Sequence, residues 1–111
     1  MKAINRDEII WASGFFDGEG NARYREIQTT KVPIVQISQT DRGLLERFQK
    51  AVLGLGTIRG PYKHKNPNAK PYFRYYVGNF ESVQAIAAML WPFLSPAKRA
   101  QFKSTLEKLI Y

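Results

Sequence analysis

Two carboxylates separated by one glycine, Asp17 and Glu19 in Phe-Phe-Asp-Gly-Glu-Gly, are the residues of this chain best suited to chemistry. Magnesium prefers carboxylate oxygens combined with phosphate oxygens and water. A divalent cation held at such a pair would polarise a phosphodiester and stabilise the oxygen that leaves. The same Asp-Gly-Glu-Gly run also suits a plain turn capping a helix end, and these four residues alone do not choose between the two. No cysteine is present, so disulfides and thiolate metal sites are excluded. The one histidine, His64, lies between two lysines in a Pro/Asn/Lys-rich stretch. A histidine triad or zinc site there would lack helpers, and a solvated loop histidine is the expected reading.

Around these acids the chain is basic: 17 Lys and Arg stand against 9 Asp and Glu, a net charge of +8 over 111 residues. That length bounds one domain with a modest core, and a charge excess of this size points to nucleic acid as partner. Anionic membranes attract the same charge. The sequence shows no basic amphipathic helix flanked by membrane-seeking aromatics, no apolar run that spans a bilayer and no signal-peptide pattern, so a soluble intracellular protein without a membrane partner is expected.

The elements that position the acids can be read from periodicity. A first helix should begin at Asn5, a capping residue with Glu8 three positions on to complete a capping box. It carries Ile9, Ile10, Trp11, Ala12, Phe15 and Phe16, apolar on most sides and therefore covered on most sides. Gly14 inside it costs about 1 kcal/mol relative to alanine, a cost that a close approach by another helix would explain. Gly18 and Gly20 should end it. Residues 21–27 alternate, with Arg23, Arg25 and Ile27 on one side, and residues 28–31 make a polar turn. A second strand, 32–39, puts Val35 and Ile37 inward and Ile34, Gln36 and Ser38 outward. Asp41 can cap a second helix with Leu44, Leu45, Phe48 and Val52, ended by Gly54 or Gly56.

A third strand over 57–63 should be bulged or end at Gly60-Pro61. Residues 63–71 have loop composition, and a fourth strand over 72–78 sets Phe73, Tyr75 and Val77 against Arg74 and Tyr76. Asn79 starts a third helix that stops near Pro92, and Ser95-Pro96 restarts one bearing Phe102, Leu106 and Leu109. The plan is α+β: a single αββαββα domain with an extra C-terminal helix and an antiparallel sheet forming a saddle. The outward face carries Arg23, Arg25, Gln36, Arg74 and Tyr76, with Arg59 from the third strand. Arginine and glutamine pair bidentately with guanine and adenine edges, and the major groove admits a β-ribbon. A solvated face is the plain alternative, although Glu26 falls on the inner side by parity and leaves the outer face almost without negative charge.

Residues 12–20, Ala-Ser-Gly-Phe-Phe-Asp-Gly-Glu-Gly, resemble the signature nonapeptide of LAGLIDADG homing endonucleases: Gly14, Asp17 and Gly20 match its letters, Glu19 is a frequent replacement for its last aspartate, and Ala12 and Ser13 depart from it. The αββαββα order along the chain is also that family's. The resemblance implies that Glu19, with Gly18 beside it, holds a catalytic Mg2+ or another divalent cation, that Gln39 lies near the reactive water, and that Lys98 joins the active site. It also implies a homodimer formed through the first helix, with Ile10, Ser13, Gly14 and Asp17 at the contact. The expected partner is double-stranded DNA with a near-palindromic target, cut on both strands across the minor groove. Arg23, Arg25, Ile27, Gln36, Ser38, Arg59, Arg74 and Tyr76 would face the major groove, while Lys63, Lys65, Lys70 and Lys98 would meet phosphate. Two other readings keep the basic face without the cut: a non-cleaving maturase or regulator of the same fold, and a monomeric RNA-binding protein in which Asp17 and Glu19 only end a helix.

Overall fold

The computed structural model describes residues 3–107, and the expected Leu109 lies outside them. The first helix, α1, runs Arg6–Glu19 and passes without a loop into strand β1, Gly20–Ile27. Asn5 caps it, its side-chain oxygen accepting from the Glu8 amide at 3.1 Å. The reciprocal half of the expected capping box is not made. The Glu8 carboxylate instead accepts two hydrogen bonds from Arg47, at 2.9 and 2.8 Å, and ties α1 to the second helix. The helix continues through Gly18 and stops at Gly20, the second of the two glycines expected to end it, which takes an extended conformation. Gly20 is required there by packing. A methyl group at that position would overlap the ring of Phe16, itself fully buried.

Strand β2 spans Thr30–Gln39 and pairs antiparallel with β1, Ile27 facing Thr30. The polar turn is therefore only Gln28 and Thr29, both at positive φ (55° and 94°), the backbone pattern that matches the twist of a two-residue hairpin. Helix α2, Arg42–Ala51, is capped by Asp41. Strand β3, Thr57–Tyr62, keeps its partner β4, Tyr72–Val77, across a register shift between Arg59 and Tyr62. Helix α3, Phe80–Leu90, is capped by Asn79, a short 3-10 turn covers Trp91–Phe93, and α4 spans Pro96–Glu107. The sheet order is β1-β2-β4-β3, antiparallel throughout.

One face of that sheet makes the core. Ala22, Val35, Ile37, Tyr75 and Val77 pack with Phe16 of α1, Leu45 and Phe48 of α2, Val83, Ile86 and Leu90 of α3, and Phe102 of α4. The Phe16 ring stacks on Phe48 at 6.2 Å and on Phe102 at 5.2 Å, while Phe48 meets Tyr75 edge-on at 5.1 Å. Aromatic pairs at these separations add about 0.5–1.5 kcal/mol beyond the area they bury. The Tyr75 hydroxyl donates to the Leu55 carbonyl at 2.5 Å, and burial pushes its pKa well above the ordinary tyrosine value. Ile34 departs from the expected pattern: it lies outward of β2, opposite Arg23, yet is fully buried and outside the main cluster. Among the described residues, no helix is long and apolar enough to cross a membrane.

Two substitutions separate these contributions in chemical denaturation. Gly20→Ala should destabilise the fold by about 1–3 kcal/mol, because Phe16 must leave its rotamer or the backbone must shift. Tyr75→Phe should cost about 1 kcal/mol, the net worth of one hydrogen bond whose acceptor is left without a donor.

Candidate nucleic-acid interface and acidic cleft

The outward face of the sheet collects the side chains that alternation assigned to it. In register, Asn21 faces Gln36, Arg23 faces Ile34, Gln36 faces Tyr76, Ser38 faces Arg74, and Arg74 faces Arg59. Arg23 donates to the Gln36 side-chain oxygen at 3.3 Å. A depression of about 280 Å³ is lined by Arg25, Arg59, Tyr62, Arg74 and Tyr76. Ile27 ends β1 at the hairpin and is exposed. The ion pairs among the described residues, Arg42–Glu46 and Arg47–Glu8, belong to the helices, so they do not neutralise this face. Hydrogen bonding from Arg47 holds the Glu8 carboxyl below the usual carboxylate range.

At one end of that face lies a larger cleft, of about 780 Å³. It brings together Glu19 from the end of α1, Ser38, Gln39 and Thr40 from the end of β2, Tyr72 and Arg74 from β4, and Lys63, His64, Lys65, Ala69 and Lys70 from the loop before it. The loop lysines thus stand over the cleft rather than along the sheet. His64 also lines it, an assignment its loop composition did not suggest, and its Nδ1 accepts from the Asn66 amide at 3.1 Å. Glu19 is exposed, while the Gln39 side-chain oxygen accepts from the Thr40 amide at 3.0 Å. Among the described residues no group of three or more His, Cys, Asp and Glu forms, so one chain offers the cleft one carboxylate.

The two acids of the motif have separate surroundings. The Asp17 carboxylate accepts from the Ser95 amide, at 3.0 and 3.2 Å to its two oxygens, just ahead of α4. Ser95 Oγ accepts from the Lys98 amide at 3.3 Å, and Lys98 Nζ donates to the Gly20 carbonyl at 2.6 Å. A carboxylate at a helix N-terminus is stabilised by the backbone amides there. Asp17 therefore docks α4 onto the end of α1, and Lys98 returns from α4 to the residue after Glu19.

Of the positions expected at the helix contact, Ser13 lies within the chain, and Asp17 is partly exposed and bonded to Ser95. Ser13 is fully buried, its hydroxyl donating to Ile9 O at 2.8 Å and lying 3.4 Å from Leu90 O, and no partner surface can reach it. Asp17 is occupied with Ser95. Ile10, at 40% exposure, and Gly14 do face outward. Gly18 joins them one turn on, and a Cβ added to Gly14 or Gly18 would meet nothing within 4 Å. The long apolar circumference of α1 is thus covered on one side and open on the other. Tyr62, which meets Tyr72 on the outward face, is the residue that sequence parity hid: the bulge after Arg59 adds a residue and returns it to that face.

A family profile for the LAGLIDADG-like domain matches residues 11–90, from Trp11 to the end of α3 and short of Lys98. No curated protein sequence matches the chain. Among solved structures, the homing endonuclease I-CvuI in complex with its target, in the presence of calcium, is similar with a TM-score of 0.73 and 25% identity over 95% of this chain and 67% of that one. I-CvuI in the presence of magnesium, with its DNA not cleaved, gives 0.72 and 25% over 96% and 69%. The LAGLIDADG meganuclease I-AabMI bound to uncleaved DNA gives 0.70 and 28% over 96% of this chain, which spans only 37% of that protein. The motif at the foot of α1, the four-stranded saddle and the profile match along most of the sequence place this chain in the LAGLIDADG-like family.

Proposed function

We propose that the protein is a homodimeric, metal-dependent endonuclease that cuts both strands of a near-palindromic DNA site. The observation that carries this is the cleft in which Glu19 and Gln39 meet Lys63, Lys65 and Lys70 at the edge of a cationic sheet. An acid at the mouth of a surface that attracts phosphate raises the cost of binding unless a cation sits between them. Glu19 closes α1, and carbonyls of a helix's last turn, Gly18 among them, have no amide partner within the helix. The negative end of the helix and an oxygen-only donor set suit Mg2+ or Ca2+ rather than a transition metal. The bound cation would supply Lewis-acid stabilisation of charge on the scissile phosphate.

The chain's own groups do the rest. Gln39, tethered at its oxygen by the Thr40 amide, keeps its NH2 to orient a water or phosphate oxygen. Lys98 fixes the Gly20 carbonyl and so the direction in which Glu19 leaves the helix. The loop lysines offer charge to the backbone, which adds affinity without sequence information. One carboxylate per chain is half of what a cut on each strand requires. The outward stripe of Ile10, Gly14 and Gly18, with open space beyond its glycines, supports a second copy packing helix to helix across a two-fold axis. Ser13, fully buried within the chain, is left out of that contact.

Purified protein with magnesium, given DNA selected for binding, should cut both strands. Glu19→Gln should bind the same DNA with little change and lose cleavage by at least about a hundredfold; undiminished cutting removes Glu19 from the reaction, and binding without nicking by the unaltered protein identifies a non-cleaving member of the family. Gly14→Leu provides the complementary test. A helical leucine in open space should raise protomer stability by up to about 1 kcal/mol, yet light scattering should show loss of the dimer and cleavage should fall with it.

A further inference from the structure

Arg74 is the cation whose surroundings remain unexplained by the fold. It sits on β4, an interior strand, in the middle of the outward face, with Ser38 on one side and Arg59 on the other. Its guanidinium carbon lies 5.4 Å from the Tyr62 ring centroid and 5.8 Å from that of Tyr72, and the two rings are themselves 5.5 Å apart, so the three groups form a nearly equilateral triangle. Its Nε is buried and has no hydrogen-bond partner. The ion pairs found among the described residues do not involve it, and a second arginine stands directly opposite. Like charges facing each other across an antiparallel pair are destabilising, and a buried donor without an acceptor adds to that cost. That Nε is closed to solvent, so an acceptor arriving from outside would meet the rest of the guanidinium, where Arg74 lines the cleft and the neighbouring depression.

We propose that Arg74 reads a guanine in the major groove of each half-site, and that Tyr62 and Tyr72 set this specificity by holding the guanidinium without touching the base. The inference rests on the DNA-binding reading above and is independent of cleavage. Guanine presents two acceptors, O6 and N7, on its major-groove edge, which two N–H groups of one guanidinium can satisfy together. Adenine presents a donor beside N7 and would leave one of those N–H groups facing another donor. A phosphate also accepts two hydrogen bonds, but Lys63, Lys65 and Lys70 occupy the loop at the rim, whereas Arg74 projects from the centre of the sheet. Resting on two rings, its guanidinium loses little rotamer freedom on binding, and this pre-organisation sharpens discrimination. Arg74 lines both the cleft that holds Glu19 and the depression that holds Arg25 and Arg59. The base it reads therefore lies between the cutting centre and the outer part of the half-site.

Selection of bound sequences from a random duplex library, without metal and scored by binding alone, tests this. The unaltered protein should enrich guanine at one symmetry-related pair of positions. Arg74→Gln should lower that preference by about tenfold or more, and Arg74→Lys, whose ammonium can still donate to O6 and N7 but lacks the fixed fork, should lower it by less; both should leave other positions unchanged. Tyr72→Leu and Tyr62→Leu should relax the same pair of positions, in the same direction and by less. Circular dichroism identifies any variant that does not fold, and the glutamine variant then decides the question. An equal loss of affinity for all sequences with a shallower salt dependence would make Arg74 a phosphate contact and overturn the inference. An unchanged sequence preference in the glutamine variant overturns it as well. Absence of any enriched sequence with the unaltered protein removes the DNA-reading role on which it rests.

Discussion

The Phe16 ring lies where a side chain of Gly20 would be, and this one contact fixes how α1 becomes β1. Because no loop intervenes, the last helical residue, Glu19, emerges at the edge of the sheet with its direction set by backbone. Phe16 is simultaneously the centre of the core, stacked on Phe48 and Phe102. The position of the acid is therefore tied to the packing of three helices, and the hydrogen bonds from Ser95 to Asp17 and from Lys98 to Gly20 fasten the same junction from α4. A site built on helix and strand ends held this way is more exact than one built on loops.

Charge is segregated to match. The anions that pair do so on the helical side, Glu8 with Arg47 and Glu46 with Arg42, while Arg23, Arg25, Arg59 and Arg74 remain unneutralised on the outward face. Such an uncompensated surface raises the local concentration of a polyanion and speeds its arrival. Glu19 is the exposed acid in the cleft at its edge, and that isolation is what makes the residue chemically informative. The flank of α1 where Gly14 and Gly18 face empty space is a surface that contacts within the single chain do not account for.

Local patterns in the sequence carried most of this architecture. Asn5, Asp41 and Asn79 each cap the helix assigned to them, and alternation in β1, β2 and β4 sorts core from outward residues except at Ile34, which is buried on the outward side, and at Tyr24, which shares the parity of Ala22 in β1 yet is exposed. What the sequence could not carry is non-local. Glu8 has the spacing of a capping box, but Arg47, 39 residues away, competes for its carboxylate and wins with two hydrogen bonds. Ser13 and Asp17 lie on α1 beside Gly14, and only the positions of Leu90 and Ser95 reveal that Ser13 turns inward and that Asp17 bonds to the start of α4. Tyr62 is displaced from its parity by the bulge after Arg59, so its meeting with Tyr72 and Arg74 is visible only once the strands are paired.

The central claim is that two copies of this chain make one functional centre, and subunit mixing addresses it most directly. Unaltered protein and Glu19→Gln protein, mixed in equal amounts and allowed to exchange, would be assayed for double-strand cutting at constant total concentration. Random pairing leaves about a quarter of the dimers with both acids, so double-strand cleavage should fall to about a quarter of its original rate. A fall to about one half, in simple proportion to the unaltered chain remaining, would mean that each chain acts alone and would contradict the account.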